Sequence, residues 1–403
     1  MRAGRIEQTM AQPDLDVDGI IGAIRSVVPV KTGTIALHEP SFCGREWDYV
    51  KDCLDSTYVS YIGPYVDKFE SMLADYTGTK RAIALVNGTA ALHIALKLVG
   101  VEAGDEVIVP ALTFVATANA IAYCGALPHF ADSEERTLGL DPYKLGDYLR
   151  QIAQVSGDGC VNRYSGRRIR AVIPMHTFGH PVDMDPLVDV CREYKLEIVE
   201  DAAESLGSYY KGVHTGNWGR LSILSFNGNK TVTTGGGGAI ITQDEALARK
   251  AKHLTSTAKT PHRWEYRHDQ IGYNYRLPNI NAALGCAQLE ELPALLERKR
   301  RLADCYRSAF KDVEGVLFFT EPSFASSNYW LNALLLDKIF SAKRDEVLER
   351  TNDNGIKTRP AWDLINTLPA FQTDPKMELN CAEDLAKRLI NIPSSAFLGS
   401  VEA

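Results

Sequence analysis

From about residue 80 the chain alternates short, almost continuously apolar runs with stretches of helical periodicity. "RAIALV" (81–86), "DEVIVP" (105–110), "RIRAVIPMH" (168–176), "LEIVED" (196–201) and "LSILSF" (221–226) predict strands. So few polar positions interrupt them that both faces of the sheet should be covered. "GTAALHIALKLVG", "TFVATANAIAYCG" and "DMDPLVDVCREYK" predict intervening helices. Strand–helix–strand alternation implies an α/β fold, a mostly parallel sheet flanked by helices. "GGGGAIITQD" predicts one more strand. Beyond about residue 280 the pattern changes to a long helical stretch, expected to break near Pro293, then a strand in "SNYWLNALLL" and a helix in "KRDEVLERTNDNGI". The expected organisation is an N-terminal extension (1–35), loosely held over its first thirty or so residues, a large α/β domain (36–280) and a smaller C-terminal α+β domain (281–403).

Composition narrows the class. The 403 residues are 45% hydrophobic, enough for a large core in two packed units. A formal net charge of -7 gives no basic face for nucleic acid. The "RKRR" run at 298–301 reads as a solvated helix face. Eight cysteines are scattered singly without a CxxC pair, which argues for reduced, buried thiols in a cytoplasmic protein and against a disulfide frame or metal site. No stretch is apolar for long enough to span a membrane, and the N-terminal segment has no apolar signal core.

In open α/β sheets ligands bind at the C-terminal strand ends, so candidate chemistry was sought there. Asn87, Gly88 and Thr89 lie between a strand and a helix, where backbone N–H groups favour an anion; an ordinary N-cap at Thr89 explains them equally well. Asp201 ends an apolar strand, where an acid is costly unless it meets a cation, a metal or a protonated ring nitrogen; it also suits a helix cap. Glu204 follows one helical turn later and can face the same side. In "LSILSFNGNKTVTTGGGGAIIT" (221–242), Ser225 ends the apolar run and Lys230 follows five residues on. A lysine there is either an imine-forming nucleophile or an exposed loop residue. The glycines at 235–238 admit positive φ or close backbone approach, without the pattern of a dinucleotide site. Phe114 suits stacking on a flat ring or packing in a core, and Asn274 and Arg276 suit an anion or their own loop. Together these residues supply what is needed to hold a pyridine-ring phosphate and form a Schiff base.

The segments "NGTAALHIAL", "PALTFVATANAI", "EDAAESLGS", "SFNGNKTVTTGGGGAI" and "IGYNYRLPNINAALGCAQLE" resemble the DegT/DnrJ/EryC1/StrS family of nucleotide-sugar aminotransferases, over about residues 36 to 395. The "FNGNK…TTGGGG" variant, with "PHFADSEERTLGLDP", resembles its LegC-like branch. The resemblance implies PLP fold-type I, an aspartate aminotransferase-like architecture, and a homodimer with shared active sites. It implies that Lys230 holds pyridoxal 5′-phosphate as the internal aldimine and then shuttles a proton, through a pyridoxamine phosphate stage. It further implies that Asp201 pairs with the pyridinium nitrogen, that Phe114 stacks on the ring, that Gly88, Thr89 and Ser225 bind the phosphate, and that Asn274 reaches it from the partner subunit. Glu204 stands where many relatives have Gln or His near the ring oxygen. If it contacts that oxygen, one of the two is protonated. Gly236 stands where many relatives have an acid. A branch that dehydrates sugars carries His in place of the lysine, so Lys230 favours transamination.

The reaction implied is transfer of the amino group of L-glutamate to C4 of a nucleotide-linked 4-keto-6-deoxy N-acetylated sugar. UDP-2-acetamido-2,6-dideoxy-4-hexulose is the first choice, in bacillosamine- or legionaminic-acid-type glycan or lipopolysaccharide biosynthesis. Tyr61, His176 and Arg276 are the substrate-side candidates, and "RPAW" (359–362) resembles a segment lining the sugar site. The alternatives are a GDP- or dTDP-linked keto sugar, or a non-catalytic nucleotide-sugar binder on the same fold.

Overall fold

The computed structural model describes residues 14–28, 33–157 and 159–400. Its centre is a sheet of seven strands: β1 (Arg81–Leu85), β2 (Glu106–Pro110), β3 (Leu127–Ala131), β4 (Arg168–Val172), β5 (Glu197–Asp201), β6 (Leu221–Ser225) and β7 (Gly238–Thr242). The order is β1-β7-β6-β5-β4-β2-β3. All neighbours are parallel except β7, which is antiparallel to both β1 and β6. A hairpin of Ala153–Ser156 and Gly159–Asn162 extends the sheet beside β4. The strands are buried along most of their length because helices cover both faces. Gly88–Leu98 and Val115–Tyr123 pack in one core, Pro142–Ile152 and Met184–Glu193 in another.

A second sheet, antiparallel throughout, joins Val316–Phe318, Asn332–Leu336, Leu389–Ile392 and Arg359–Pro360. The two sheets share one apolar core: Phe319, Trp330, Leu335 and Leu385 cluster with residues of β1, β2 and the helix Gly88–Leu98.

Three expectations need correction. The N-terminal segment is not loose over its described part: the helix Val17–Val27 is capped by Asp16 and buries Val17, Ile20 and Ile24 against Leu302, Tyr306 and Leu334. Its apolar spacing supplies a face, and the C-terminal core supplies the partner. The helix Asn279–Ala309 also runs through Pro293 without a break. One lost backbone bond is outweighed there by burial of the helix against Glu46–Asp55 and Pro64–Thr77. Finally, the "RKRR" run is not a wholly solvated face. Lys299 is buried, and its Nζ contacts His38 Nε2 (3.0 Å) and donates to the carbonyls of Trp330 (3.1 Å) and Ser394 (2.7 Å). Burial pushes its ammonium down to about 7. Of the eight cysteines, all unpaired, five are buried while Cys43 and Cys305 are exposed.

The glycine run has unequal demands. Gly235 adopts φ +78°, whereas a Cβ on Gly238 would lie 2.4 Å from the Asn87 carbonyl carbon and 2.6 Å from the Gly88 nitrogen. A Cβ on Gly236 would meet nothing within 4 Å. Gly238→Ala is therefore expected to destabilise the protein by about 1–3 kcal/mol in urea unfolding. Gly236→Ala should stay within about 0.5 kcal/mol of the parent.

Candidate active site

The C-terminal ends of β1, β2, β5 and β6 meet the N-terminal end of β7 at one edge of the sheet. A cavity of about 540 Å³ opens there. It is closed from the other side by the C-terminal unit, through Trp330, Arg359, Trp362 and Asn391. Seven of the residues expected at a cofactor line it: Gly88, Thr89, Phe114, Asp201, Glu204, Ser225 and Lys230.

Each position follows from local structure. Asn87 caps the helix Gly88–Leu98, accepting from the Ala90 amide at 2.8 Å, so the cap lies two residues before Thr89. This leaves the Gly88 and Thr89 amides for an anion at the cavity edge. A Cβ on Gly88 would lie 3.1 Å from the Ser225 Cβ, a tight contact, so glycine keeps this end of the cavity open as a cradle. Phe114 immediately precedes the helix Val115–Tyr123 and is half exposed, a ring at the cavity wall near Trp362 (6.2 Å between centroids).

Asp201 is buried at the end of β5. Its carboxylate accepts from Thr117 Oγ1 at 2.8 Å and from the Ala203 amide at 3.2 Å. Among the described residues no basic side chain forms an ion pair with it. Burial raises its carboxyl above the ordinary range, while the Thr117 hydroxyl opposes the rise. A carboxylate in this position is completed by a cationic N–H donor.

Lys230 follows a turn in which its amide donates to the Asn227 carbonyl (3.0 Å). Its Nζ donates to Glu204 Oε1 at 3.2 Å and lies 3.8 Å from the centroid of the Trp330 ring. The other Glu204 oxygen accepts from the Phe178 amide at 2.9 Å. Burial pushes the Glu204 carboxyl up to about 7 against the pull of the Lys230 charge.

The remaining candidates lie elsewhere. His176 is buried off the cavity: Nδ1 accepts from the Val182 amide (3.2 Å) and Nε2 pairs with Glu200 at 3.1 Å. Glu200 also accepts three backbone amides, from Gly216, Trp218 and Gly219. Despite burial, that set holds its carboxyl below the ordinary range. Arg276 is also buried and pairs with Glu70 at 2.7 Å. Neither pick lines this cavity: each is held by a buried acid, His176 through its Nε2 by Glu200 and Arg276 by Glu70. Tyr61 and Asn274 are exposed and do not line the cavity of their own chain.

Sequence reasoning missed Thr117 and Trp330. Thr117 had a signal, since it lies three residues after Phe114 on a helix whose start faces the site. Trp330 had none, because it comes from the C-terminal unit, 100 residues after Lys230.

A buried acid, a lysine, an open anion cradle and a flanking ring therefore surround one cavity, and this donor set fits pyridoxal phosphate. The model of the DegT/DnrJ/EryC1/StrS aminotransferase family matches residues 42–402. The chain belongs to this family. It is 40% identical to EpsN of Bacillus subtilis (strain 168), named as a pyridoxal phosphate-dependent aminotransferase, over 90% of this chain and 91% of EpsN. It is 38% identical to GDP-perosamine synthase of Escherichia coli O157:H7, over 89% of this chain and 93% of that enzyme. The solved structure of DesI in the presence of its TDP-sugar product superposes with a TM-score of 0.79 at 28% identity, covering 91% of this chain and 89% of DesI. This family member is a pyridoxal phosphate-dependent sugar aminotransferase of fold-type I. No described helix is long and apolar enough to cross a membrane.

Glu204 makes the folded chain sensitive to pH. The unfolded chain releases its proton near 4.5, while the folded chain keeps it up to about 7. Stability therefore falls as pH rises between those values, because the folded state binds more protons there. Glu204→Gln removes this slope. In urea unfolding of the cofactor-free chain, the variant should gain about 1–3 kcal/mol on the parent between pH 4.5 and pH 8. A difference that stays constant with pH would contradict the assignment.

Proposed function

We propose that this aminotransferase moves the amino group of L-glutamate to C4 of a nucleotide-linked 4-keto-6-deoxy sugar, with UDP-2-acetamido-2,6-dideoxy-4-hexulose as the preferred acceptor. The observation that carries the reading is that Lys230 and Asp201 line one cavity with the Gly88–Ser225 cradle at its edge.

Bound pyridoxal phosphate supplies an electron sink for the carbon that loses a proton. Lys230 would hold the cofactor; once free, its Nζ would take a proton from the donor's α-carbon and, in the second half of the cycle, deliver one at sugar C4. Asp201 keeps a proton on the ring nitrogen, because its buried carboxylate has hydrogen-bond partners and no ion pair of its own. Gly88, Thr89 and Ser225 hold the phosphate through first-turn amides and a hydroxyl. Phe114 would stack on the ring, and Glu204, whose carboxyl is pushed up to about 7, would share a proton with the ring oxygen.

A homodimer with shared sites forms part of this reading. Tyr58, Tyr61 and Ile62, and likewise Trp264, Tyr266 and Ile271, are large apolar side chains left exposed on segments near Tyr61 and Asn274. Such surface favours burial against a second copy, with Asn274 reaching the partner's phosphate site. The UDP preference comes from the "FNGNK" variant, which carries Asn227 and Asn229 into the cavity. A GDP-linked acceptor is the second reading, supported by the 38% identity to a GDP-perosamine synthase. A TDP-linked one follows from DesI in the same way.

Lys230→Ala should lower kcat by at least about 10²–10⁴-fold with glutamate and any acceptor. Full retained turnover would sink the mechanism. A panel of UDP-, GDP- and dTDP-linked 4-keto sugars, read by mass spectrometry and NMR, should give the highest kcat/KM with the UDP-linked N-acetylated acceptor. A higher value with the GDP-linked sugar would transfer the assignment to the second reading.

A further inference from the structure

The Lys230 amine lies over the ring of Trp330, yet no step above uses that residue. Its ring is almost wholly buried, with the lysine nitrogen 3.8 Å above the centroid. The ring is fixed from several directions. Its Nε1 donates to the Asn229 carbonyl at 2.7 Å, its amide donates to Asn328 Oδ1 at 2.8 Å, and its carbonyl accepts from Lys299 at 3.1 Å. Asn328 in turn donates to the carbonyls of Glu204 (2.8 Å) and Leu206 (2.9 Å), so one side chain sets Trp330 relative to Glu204. Tyr329, between them, has φ +47°, a conformation unfavourable for an aromatic residue and kept only where the surroundings enforce it.

These contacts make a two-sided seat around one nitrogen. The Glu204 carboxylate approaches from one side and the indole face from the other. Asp201 and Arg359 line the same cavity, and His38 is near enough for the Lys230 charge to act on it. In transamination the lysine spends part of each cycle free of the cofactor. A free four-carbon side chain loses rotamer entropy if it is to stay near the reacting carbon, so something must hold it. An aromatic face attracts an ammonium far more than a neutral amine. Glu204 does the same only while ionised, and its carboxyl is pushed up to about 7. The indole is the partner that does not titrate.

We infer that Trp330, with Glu204, is the seat of the free Lys230 ammonium, making Trp330 a positioning residue for the proton-carrying amine. The seat holds the lysine whenever its free amine carries a proton, and it loosens when that proton passes on to carbon and the amine becomes neutral. This rests on Lys230 being the cofactor lysine.

The test uses the full-length enzyme converted by L-glutamate to its pyridoxamine phosphate form. Lys230 is then labelled briefly with an amine-acylating reagent from pH 8 upward, and the peptide that contains it is quantified by mass spectrometry. With Trp330→Leu the ammonium loses its ring partner, and labelling at pH 8 should rise about fivefold. Trp330→Phe should rise less, and both gains should shrink as pH rises and the amine loses its proton in every variant. If the Leu variant does not fold, biosynthetic incorporation of fluorinated tryptophans keeps the shape and weakens the ring face. Labelling should then increase stepwise with the number of fluorines. An unchanged rate, or a gain equal at every pH, would overturn the seat, the latter meaning that the ring only shields the amine. Borohydride reduction of the parent before glutamate, with peptide mapping, tests the separate premise. Cofactor mass on a lysine other than Lys230 removes the premise itself, whatever the labelling result.

Discussion

A carboxylate buried without an ion-pair partner is the constraint on which this site depends. Asp201 ends the central strand β5 and, among the described residues, is satisfied by Thr117 and a backbone amide alone. Most other buried acids meet a basic side chain, with Glu46, held by Gln288 and the Gly44 amide, a second exception. Glu200 has His176 and three amides, Glu70 has Arg276 and Lys252, and Glu106 has His129. Desolvating an unpaired charge is expensive, and a fold that keeps one at the mouth of a cavity leaves a place for a cation to complete it. Gly88, Ser225 and Lys230 line the same cavity as Asp201, and on the proposed reading they would receive the phosphate and the carbonyl of the ring whose nitrogen Asp201 meets.

Much of this was legible in the chain. Continuous apolar strands announce a sheet covered on both faces, and strand-end residues in such a sheet converge on one edge. Asp201, Ser225, Gly88 and Phe114 were therefore readable as a group before any coordinates. The glycines at 235–238 were read as close backbone approach, and Gly238 against Asn87 is such an approach. What failed has one physical cause. His176, Arg276 and Lys299 are basic side chains whose neighbours lie far away in sequence, and local pattern does not say whether such a group faces a ligand, a buried acid or a set of carbonyls. Pro293 and the N-terminal helix were misread for a related reason: tertiary burial overrides local propensity.

The C-terminal unit contributes more than a lid. Its sheet shares an apolar core with the large sheet, and Lys299 ties the N-terminal segment at His38 to Trp330 and Ser394. Through these contacts the far end of the chain shapes the wall beside Lys230. Trp330, Arg359, Trp362 and Asn391 all reach the cavity from that side.

The central claim is that Asp201 holds a proton on the nitrogen of the bound ring. Nitrogen NMR of the enzyme loaded with pyridoxal phosphate labelled with ¹⁵N in the ring tests it most directly. The account predicts a protonated ring-nitrogen shift in the parent at neutral pH and an unprotonated one in Asp201→Asn. Identical shifts in the two proteins, with the cofactor bound in both, would contradict it.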